Sequence, residues 1–253
     1  MSNSIFEFDA VPNILIFSKL DSTSNEIMRL IDNNFAEEGL IVLADEQDNG
    51  RGRDGRVWES QIGNLFFSFL LQPNVSIDKI QFVGFLLAKN IISTILNISN
   101  NDINISYKWP NDILINDKKV AGILIQNYLN PGSKTNNMIC GVGINISQNP
   151  KSCPSTNLCF ETNKAFDKND LLIPILQNFD AEYRESLKKD NMENIINFLK
   201  KHSKMLGKQI KVHSGNDIKV GICKDIDING NLILENENRL EKIFSADLIN
   251  VIK

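Results

Sequence analysis

The sequence predicts an α+β fold, in which a mixed, mostly antiparallel sheet packs against helices and a small β-barrel follows at the C-terminal end. Short apolar runs bounded by turn residues indicate strands, and several follow one another without an intervening helix. Segments with apolar residues at helical spacing lie between them. From Gly207 onward the chain changes to closely spaced short strands. We therefore expect a main domain over 1–205 and a barrel over 206–253.

The first part of the chain alternates strands with two helices. Strands are expected at 13–17, 40–44 and 64–71. Thr23 and Glu26 have the spacing of a capping box, so a helix is expected to begin there, with its apolar face continuing to Phe35. Ser76 is expected to cap the second helix, at about 77–96.

The second part continues with a hairpin and then returns to helices. Asn116-Asp117 is a turn signal, so three strands around it and a fourth after a polar loop at 130–137 are expected. These strands lie at 103–109, 112–115, 119–128 and 138–146. An irregular segment at 150–169 precedes helices at 170–188 and 192–202. The barrel is expected to contain strands at 209–212, 218–226, 231–235, 239–243 and 248–252, with turns at Ser214-Gly215 and Asn229-Gly230.

The composition is ordinary for a globular protein, with 253 residues of which 42% are hydrophobic and 23% charged. The net charge of −4 argues against a protein that coats nucleic acid, and we expect no specific DNA binding. Residues 1–12 lack the pattern of a leader, and no stretch is expected to approach a membrane span, so a cytoplasmic location is expected. The four Cys form no CxxC pair and His occurs twice, which argues against a zinc site; the Cys are expected to be small buried hydrophobic residues.

The segment from Gly50 to Trp58, GRGRDGRVW, is the most unusual stretch. Only six of the 27 basic residues are Arg, and three of these six are Arg51, Arg53 and Arg56. Arg grips phosphate or carboxylate with a planar fork, and interleaved Gly allows close backbone approach. The alternative is a solvated basic loop. Because like charges repel, we expect this loop to be mobile until a small anionic ligand binds.

Two further stretches carry chemistry. In KWPND at 108–112, Pro110 keeps Trp109 extended, and Asp112 is suited to orient a cation or a magnesium-bound phosphate; the alternative is a turn with Trp109 plugging the core. Lys119 is interpreted as a lone cation at a strand end beside Gly122, suited to stabilise developing negative charge, or else as a snorkelling Lys.

The hydroxyls of residues 22–24 allow two interpretations. They are suited to cap the first helix, and the free N–H groups of a helix N-terminus are equally suited to a polar ligand group. Sequence spacing does not separate the two roles.

Four motifs, in this order and spacing, resemble the signature set of the biotin protein ligases: GRGRxGRxW at 50–58, KWPND at 108–112, KxxGIL at 119–124 and GVGIN at 141–145. The resemblance extends from about Ile14 to the C-terminal end. It implies a class II synthetase-like catalytic domain that binds biotin and ATP, with an SH3-like C-terminal barrel. It also implies a two-step reaction: biotin and ATP with Mg²⁺ give biotinyl-5′-adenylate, which then acylates a Lys of a biotin carboxyl carrier domain, typically on acetyl-CoA carboxylase.

The resemblance also implies roles for individual residues. The catalytic set is Lys119, Arg53 and Arg51. The biotin-binding set is Ser22, Thr23, Ser24, Gln47, Arg51, Gly52, Arg53, Lys119, Gly122 and Gly141. The nucleotide-binding set is Arg51, Arg53, Arg56, Trp58, Lys108, Asn111, Asp112 and Asn145. Asp112 is the implied magnesium ligand.

This chain departs from the family pattern at two positions, since many relatives have Asn in place of Ser24 and Glu in place of Gln126. Larger relatives also carry an N-terminal helix-turn-helix domain, and we expect this chain to be the short, non-regulatory form, either a monomer or a homodimer. A lipoate or octanoate ligase or transferase of the same fold and a biotin-binding regulator without catalysis are the alternatives. The complete Arg-loop signature and the barrel-like tail favour biotin over lipoate, and the phosphate-clamp residues favour an enzyme over a regulator.

Overall fold

An eight-stranded sheet forms the centre of the molecule in the computed structural model, which describes residues 13–73, 80–129, 136–151, 153–188, 192–214, 217–237, 239–246 and 248–252. Its strands are β1 (Ile14–Leu20), β2 (Ile41–Arg51), β3 (Val57–Ser60), β4 (Leu65–Leu71), β5 (Ile105–Lys108), β6 (Asp112–Ile115), β7 (Lys118–Tyr128) and β8 (Asn137–Ile144). The order is β1-β2-β4-β8-β7-β6-β5, and β3 pairs with β2. The β1–β2 pair is parallel and the other pairs are antiparallel, which confirms the mixed, mostly antiparallel sheet.

Helices cover both faces of this sheet, as its buried central strands require, since β4 and β8 are buried along their whole length. The helices are α1 (Thr23–Asp32), α2 (Ile80–Ile98), α3 (Leu158–Thr162), α4 (Asn169–Lys188) and α5 (Met192–Lys201). Ile27 and Ile31 of α1 pack against Val42, Leu70 and Ile139 on one face. The large core on the other face contains α2, α4 and α5.

Helix α2 corrects one expectation, because Gln81–Ile98 is long and apolar enough to cross a membrane. Of this stretch, 61% is buried inside the molecule, where α2 contacts α4, α5 and β7. A helix that is apolar on most sides is also what the interior of a large core requires. The apolar character of α2 is thus accounted for by its packing.

A second sheet of five antiparallel strands follows α5, as the change of pattern after Gly207 predicts. It contains β9 (Gln209–Ser214), β10 (Asp217–Ile226), β11 (Leu232–Asn236), β12 (Arg239–Ile243) and β13 (Leu248–Val251), in the order β12-β11-β10-β9-β13. Ile210, Cys223 and Leu234 on its inner face belong to the same buried cluster as the core of α2. The predicted boundary at 205/206 stays a prediction.

The start of α1 was predicted wrongly in two respects. The capping position belongs to Ser22, and its side chain makes no capping hydrogen bond within the described part of the chain. Thr23 is instead the first helical residue, and its hydroxyl is engaged by residues of the sheet, while Glu26 pairs with Arg29. The helix ends at Asp32, so Phe35 lies beyond it with 75% of its surface exposed. Tertiary hydrogen bonds have outcompeted the local capping box.

Two other expectations need comment. The irregular segment 150–169 contains the short helix α3, capped by the side chain of Asn157, which accepts a hydrogen bond from the Phe160 N–H. Of the cysteines, Cys140 and Cys223 are buried as expected, whereas Cys159 is half-buried and Cys153 is exposed. The predicted cap at Ser76, most of the loop at 130–137 and part of the Ser214-Gly215 turn lie outside the described residues.

Candidate active site

A cavity of about 860 Å³ is lined by residues of the large sheet, among them Trp58 of β3, and by Ala246 and Ile249 from the C-terminal part of the chain. Its lining includes every residue that the sequence analysis assigned to the site: Ser22, Thr23, Ser24, Gln47, Arg51, Gly52, Arg53, Arg56, Trp58, Lys108, Asn111, Asp112, Lys119, Gly122, Gly141 and Asn145. The fold therefore brings together residues from all four motifs, along with residues 22–24 and Gln47. Their individual roles stay predictions.

One end of the cavity is lined by buried hydroxyl groups. The carboxamide oxygen of Gln47 accepts hydrogen bonds from the Thr23 N–H at 2.8 Å and from the Thr23 hydroxyl at 3.2 Å. The Oγ of Ser68 lies 2.7 Å from Thr23 Oγ1 and 2.9 Å from Ser24 Oγ. The hydroxyls of Thr23 and Ser24 therefore contact side chains of the large sheet in the cavity lining.

Ser68 was missed by the sequence analysis, although a signal for it existed. It is the polar residue in the middle of the apolar strand LFFSFLL, where its side chain is fully buried and lines the cavity. Buried hydroxyls in a strand require hydrogen-bond partners, and those of Ser68 come from α1.

Glycines form the floor of the cavity beneath the Trp58 ring. Gly122 of β7 and Gly143 of β8 are directly paired, and a Cβ atom added to either would lie 2.7 Å or 2.5 Å from the indole. Gly141 is packed in the same way, since its Cβ would lie 3.0 Å from Ser24 Oγ. Any side chain at these positions would fill space that the ring and the hydroxyls now occupy.

Lys119 and Asp112 form an ion pair beside this floor, with 2.5 Å between Lys119 Nζ and Asp112 Oδ1. The ammonium also lies 5.0 Å from the centre of the Trp58 ring, which is a cation–π geometry. The expectation of a lone cation is therefore wrong, because the antiparallel pairing of β6 with β7 brings the carboxylate alongside.

Lys108 adds a second ammonium close by. Burial lowers its pKa, Asp112 acts in the opposite direction, and the charges of Lys119 and Arg56 lower it further. In this cluster the ammonium groups of Lys108 and Lys119 outnumber the Asp112 carboxylate, an excess of positive charge that suits an anionic ligand.

The three Arg of the Gly50–Trp58 segment make different contacts. Arg51 donates to Asn25 Oδ1 at 3.0 Å, and Arg56 pairs with Asp54 within the loop itself. Arg53 donates to Asn111 Oδ1 at 3.1 Å and to the Ala246 carbonyl at 2.7 Å, so it bridges to the C-terminal sheet. The Ala246 contact was not foreseen, because it joins groups 193 residues apart. The predicted closure of the loop on an anion stays a prediction.

Asn145 lies at the end of β8 and is fully buried at the cavity wall. Its amide nitrogen donates to the Thr156 carbonyl at 3.0 Å, and its Oδ1 has no hydrogen-bond partner among the described residues. Cys153 and Ser155 of the neighbouring segment also line the cavity.

Two further residues were singled out in the sequence. Trp109 is 1% exposed and its indole donates to the Gly230 carbonyl at 2.8 Å, so it joins the two sheets in the core while also contributing to the cavity lining. Gln126, one of the two departures from the family pattern, is not among the residues that line the cavity.

Asp112, the magnesium ligand that the resemblance implies, lines the cavity together with Glu59 and Asp117. Across the described residues, no group of three or more His, Cys, Asp or Glu side chains is arranged to hold a metal ion. A magnesium ion that arrives with nucleotide phosphates needs one or two carboxylates, so this donor set fits such an ion.

Comparison with known proteins agrees with this geometry. The model of the biotin/lipoate A/B protein ligase family matches residues 17–145, just over half of the chain. This chain belongs to that family. A second model, the biotin protein ligase C terminal domain, matches residues 205–248.

Individual relatives of this family member are similar over most of its length. The bifunctional ligase/repressor BirA of Bacillus subtilis is 32% identical over 241 residues, which cover 92% of this chain and 73% of that protein. The biotin--[acetyl-CoA-carboxylase] ligase of Paracoccus denitrificans is 28% identical over 240 residues, covering 92% and 98%. The solved structure of the Aquifex aeolicus biotin protein ligase in complex with biotin and ATP superimposes with a TM-score of 0.81 at 27% identity, covering 95% and 99%.

Proposed function

We propose that this chain is an ATP-dependent biotin protein ligase. It joins the carboxylate of biotin to the α-phosphate of ATP, releasing pyrophosphate, and then transfers the biotinyl group to a Lys of a biotin carboxyl carrier domain. The observation that carries the proposal is the cavity itself, whose lining combines the bonded hydroxyl groups of Thr23, Ser24 and Ser68 with several Arg and Lys side chains. Biotin has a polar ring at one end and a carboxylate at the other. The hydroxyl groups of the cavity suit the ring, and the Arg and Lys side chains suit the carboxylate.

The first step requires two anions to approach each other. Binding must hold the biotin carboxylate near the α-phosphate in line for attack, and the charges of both must be balanced. Lys119, Arg51 and Arg53 all line the cavity. We assign these three residues to the carboxylate and the α-phosphate. Asp112 would hold a magnesium ion, which would neutralise charge on the ATP phosphates.

The second step is attack of the carrier Lys amine on the anhydride carbonyl of biotinyl-5′-adenylate. The new amide bond forms, AMP leaves with the electron pair of the broken C–O bond, and the amine loses a proton. Arg53 and Arg56 also line the cavity, where they would retain the adenylate until a carrier domain docks.

Pyrophosphate release with biotin, lipoate or octanoate as the acid tests the proposal. We expect release with biotin and ATP, and labelling of a biotin carboxyl carrier domain in the complete reaction. Release with lipoate or octanoate in place of biotin would favour the alternative ligase. Tight binding of biotin without release of pyrophosphate would favour a biotin-binding regulator that does not catalyse the reaction.

A further inference from the structure

Three hydroxyl groups and one carboxamide form a continuous chain in the lining of the cavity. This hydroxyl relay comprises Ser24, Ser68, Thr23 and Gln47, with O···O separations of 2.9, 2.7 and 3.2 Å along it. The three hydroxyl residues are at most 4% exposed, and all four line the cavity. Ser68 links the other two hydroxyls, and the proposed function assigns it no role.

Gln47 sets the direction of the relay. Its Oε1 accepts the Thr23 N–H, a group that only donates, so the amide nitrogen must face Ser60 Oγ, to which it donates at 2.8 Å. The Thr23 hydroxyl can then donate to Oε1. Only the order Ser24 to Ser68 to Thr23 to Gln47 places a proton in each of the three O···O contacts. In the reverse order, Thr23 Oγ1 and Gln47 Oε1 would face each other with no proton between them.

The direction decides what the relay offers to a ligand. Each hydroxyl has one proton, and in this order all three protons are used within the protein. Ser24, Ser68 and Thr23 therefore present lone pairs to the cavity. A ligand N–H group can donate a hydrogen bond to these hydroxyl oxygens. A ligand oxygen in the same position would face them without a proton between the two acceptors, which is unfavourable.

We propose that Ser68 is a positioning residue that keeps the Ser24 hydroxyl turned away from the cavity, so that this end selects a ring with N–H groups. The inference rests on the proposed function, because the biotin ring is a cyclic urea with two N–H groups. Gly141 permits the contact, since a Cβ there would lie 3.0 Å from Ser24 Oγ and 3.4 Å from Ser68 Oγ.

The test compares biotin with its two cyclic-carbamate analogues, each of which has one ring N–H replaced by oxygen at almost unchanged size. Binding is measured by calorimetry on the full chain without ATP. We expect the wild type to bind at least one carbamate about 100-fold or more weakly than biotin, because a site built to accept an N–H rejects the analogue that lacks it. In Ser68→Ala, the Ser24 hydroxyl is free to donate to the ring oxygen. Biotin affinity should fall about tenfold, and the preference for biotin over that carbamate should narrow about tenfold.

Ser24→Ala is the second variant, because it removes the first donor of the relay without leaving an unsatisfied donor on Ser68. It should also narrow the preference for biotin over the carbamate, because the Ser24 acceptor is lost. Ser99→Ala is the matched control, since Ser99 is a buried Ser whose hydroxyl donates to the Leu96 carbonyl in α2, and it should leave both affinities unchanged.

A failure of this inference can be distinguished from a failure of the proposed function. Equal loss of biotin and carbamate affinity in Ser68→Ala, with an unchanged ratio, would show that Ser68 is merely structural and would overturn the inference alone. A wild type that binds both carbamates as tightly as biotin would show that the relay does not present acceptors to the ligand, and would also overturn the inference alone. A wild type that binds lipoate and no biotin would overturn the proposed function as well.

Discussion

Lys119 shows how one side chain acquires its properties from its neighbours. Its ammonium lies between the Asp112 carboxylate and the face of Trp58, and the paired strands β6 and β7 hold the carboxylate in place. A positioned cation needs no reorganisation when negative charge develops in the reaction. The ion pair therefore holds the Lys119 ammonium in a defined position. We expect the ammonium to contact substrate oxygens in place of the Asp112 carboxylate when the substrates bind.

We predict that Lys119→Gln keeps the fold but slows adenylate formation by on the order of 30- to 1,000-fold, equivalent to about 2–4 kcal/mol in the barrier. The measurement is pyrophosphate release with biotin and ATP, together with thermal unfolding to check the fold. Lys118→Gln is the matched control, because Lys118 is the exposed neighbour in β7. A wild-type rate in Lys119→Gln would contradict the assigned role.

Asp21 supports the site from outside the cavity. Arg29 grips its carboxylate with two hydrogen bonds, and Asn25 donates to the same carboxylate while accepting from Arg51. Chiefly because of the Arg29 hydrogen bonds, the pKa of Asp21 lies well below its usual value. A folded-state pKa below the unfolded one gives stability that is present above the unfolded pKa and is lost as the pH falls through the folded one.

We therefore predict that Asp21→Asn lowers the free energy of unfolding at pH 7 by about 1 kcal/mol or less, because the pair is solvent-screened. The deficit relative to wild type should shrink as the pH falls below about 4. Urea unfolding at pH 7 and pH 3 measures it, with Asp102→Asn at an exposed position as the control. An equal deficit at both pH values would show that the effect is not electrostatic.

At the scale of elements, the connection between β2 and β3 is the clearest example of a loop shaped by its sequence. The turn needs left-handed backbone at Asp54 and Gly55, with φ of 56° and 72°, and the Gly52 N–H closes it by donating to the Arg56 carbonyl. Arg53 then reaches both Asn111 and Ala246. The loop is therefore fastened at its centre to the strand edge and to the C-terminal sheet.

We predict that Arg53→Gly still makes biotinyl-5′-adenylate but releases it about ten- to a hundredfold faster. The lost charge-assisted hydrogen bonds are worth roughly 1.5–3 kcal/mol, and such losses fall mainly on release. The assay mixes enzyme, biotin, ATP and an unrelated Lys-rich protein, and then detects biotin on that protein. Arg239→Gly, at an exposed position in β12, is the control. If wild type and Arg53→Gly both make adenylate and attach equal amounts of biotin to the unrelated protein, the loop does not retain the intermediate.

At the scale of the whole molecule, the two sheets share one hydrophobic core. Trp109 donates to the Gly230 carbonyl at the turn before β11, and Phe85 of α2 packs against Gly230 itself. Gly230 has φ of 82°, and a Cβ there would lie 2.0 Å from the Phe85 ring. This contact places the C-terminal sheet where Ala246 meets Arg53.

We predict that Gly230→Ala destabilises the protein more than Gly207→Ala does. Both positions have left-handed backbone, which costs an L-residue about 1–2 kcal/mol, but no atom of the described residues lies within 4 Å of a Cβ at Gly207. The clash at Gly230 should add about 1–3 kcal/mol. Thermal unfolding of the two variants measures the difference in stability. Equal melting temperatures would mean that the Phe85 side chain moves to accommodate the added methyl group without loss of stability.

The sequence by itself determined most of the elements and most of the residues that line the cavity, although it missed α3 and Ser68. Alternating or continuous apolar runs encode strands locally, and the four motifs specify which residues line the cavity because each motif is held in a rigid strand end or tight turn. The errors were local as well: the capping box at Thr23 and the extended apolar face at Phe35 follow short-range rules that tertiary partners override.

Only the tertiary structure decided the pairings. Lys119 with Asp112, Ser68 with Ser24, Arg53 with Ala246 and Trp109 with Gly230 all join groups that come from different elements. Periodicity predicts which face of an element is buried, but it does not give the neighbour on the opposing element. The partner depends on strand order, register and the docking of the C-terminal sheet, all of which arise when the shared core is packed.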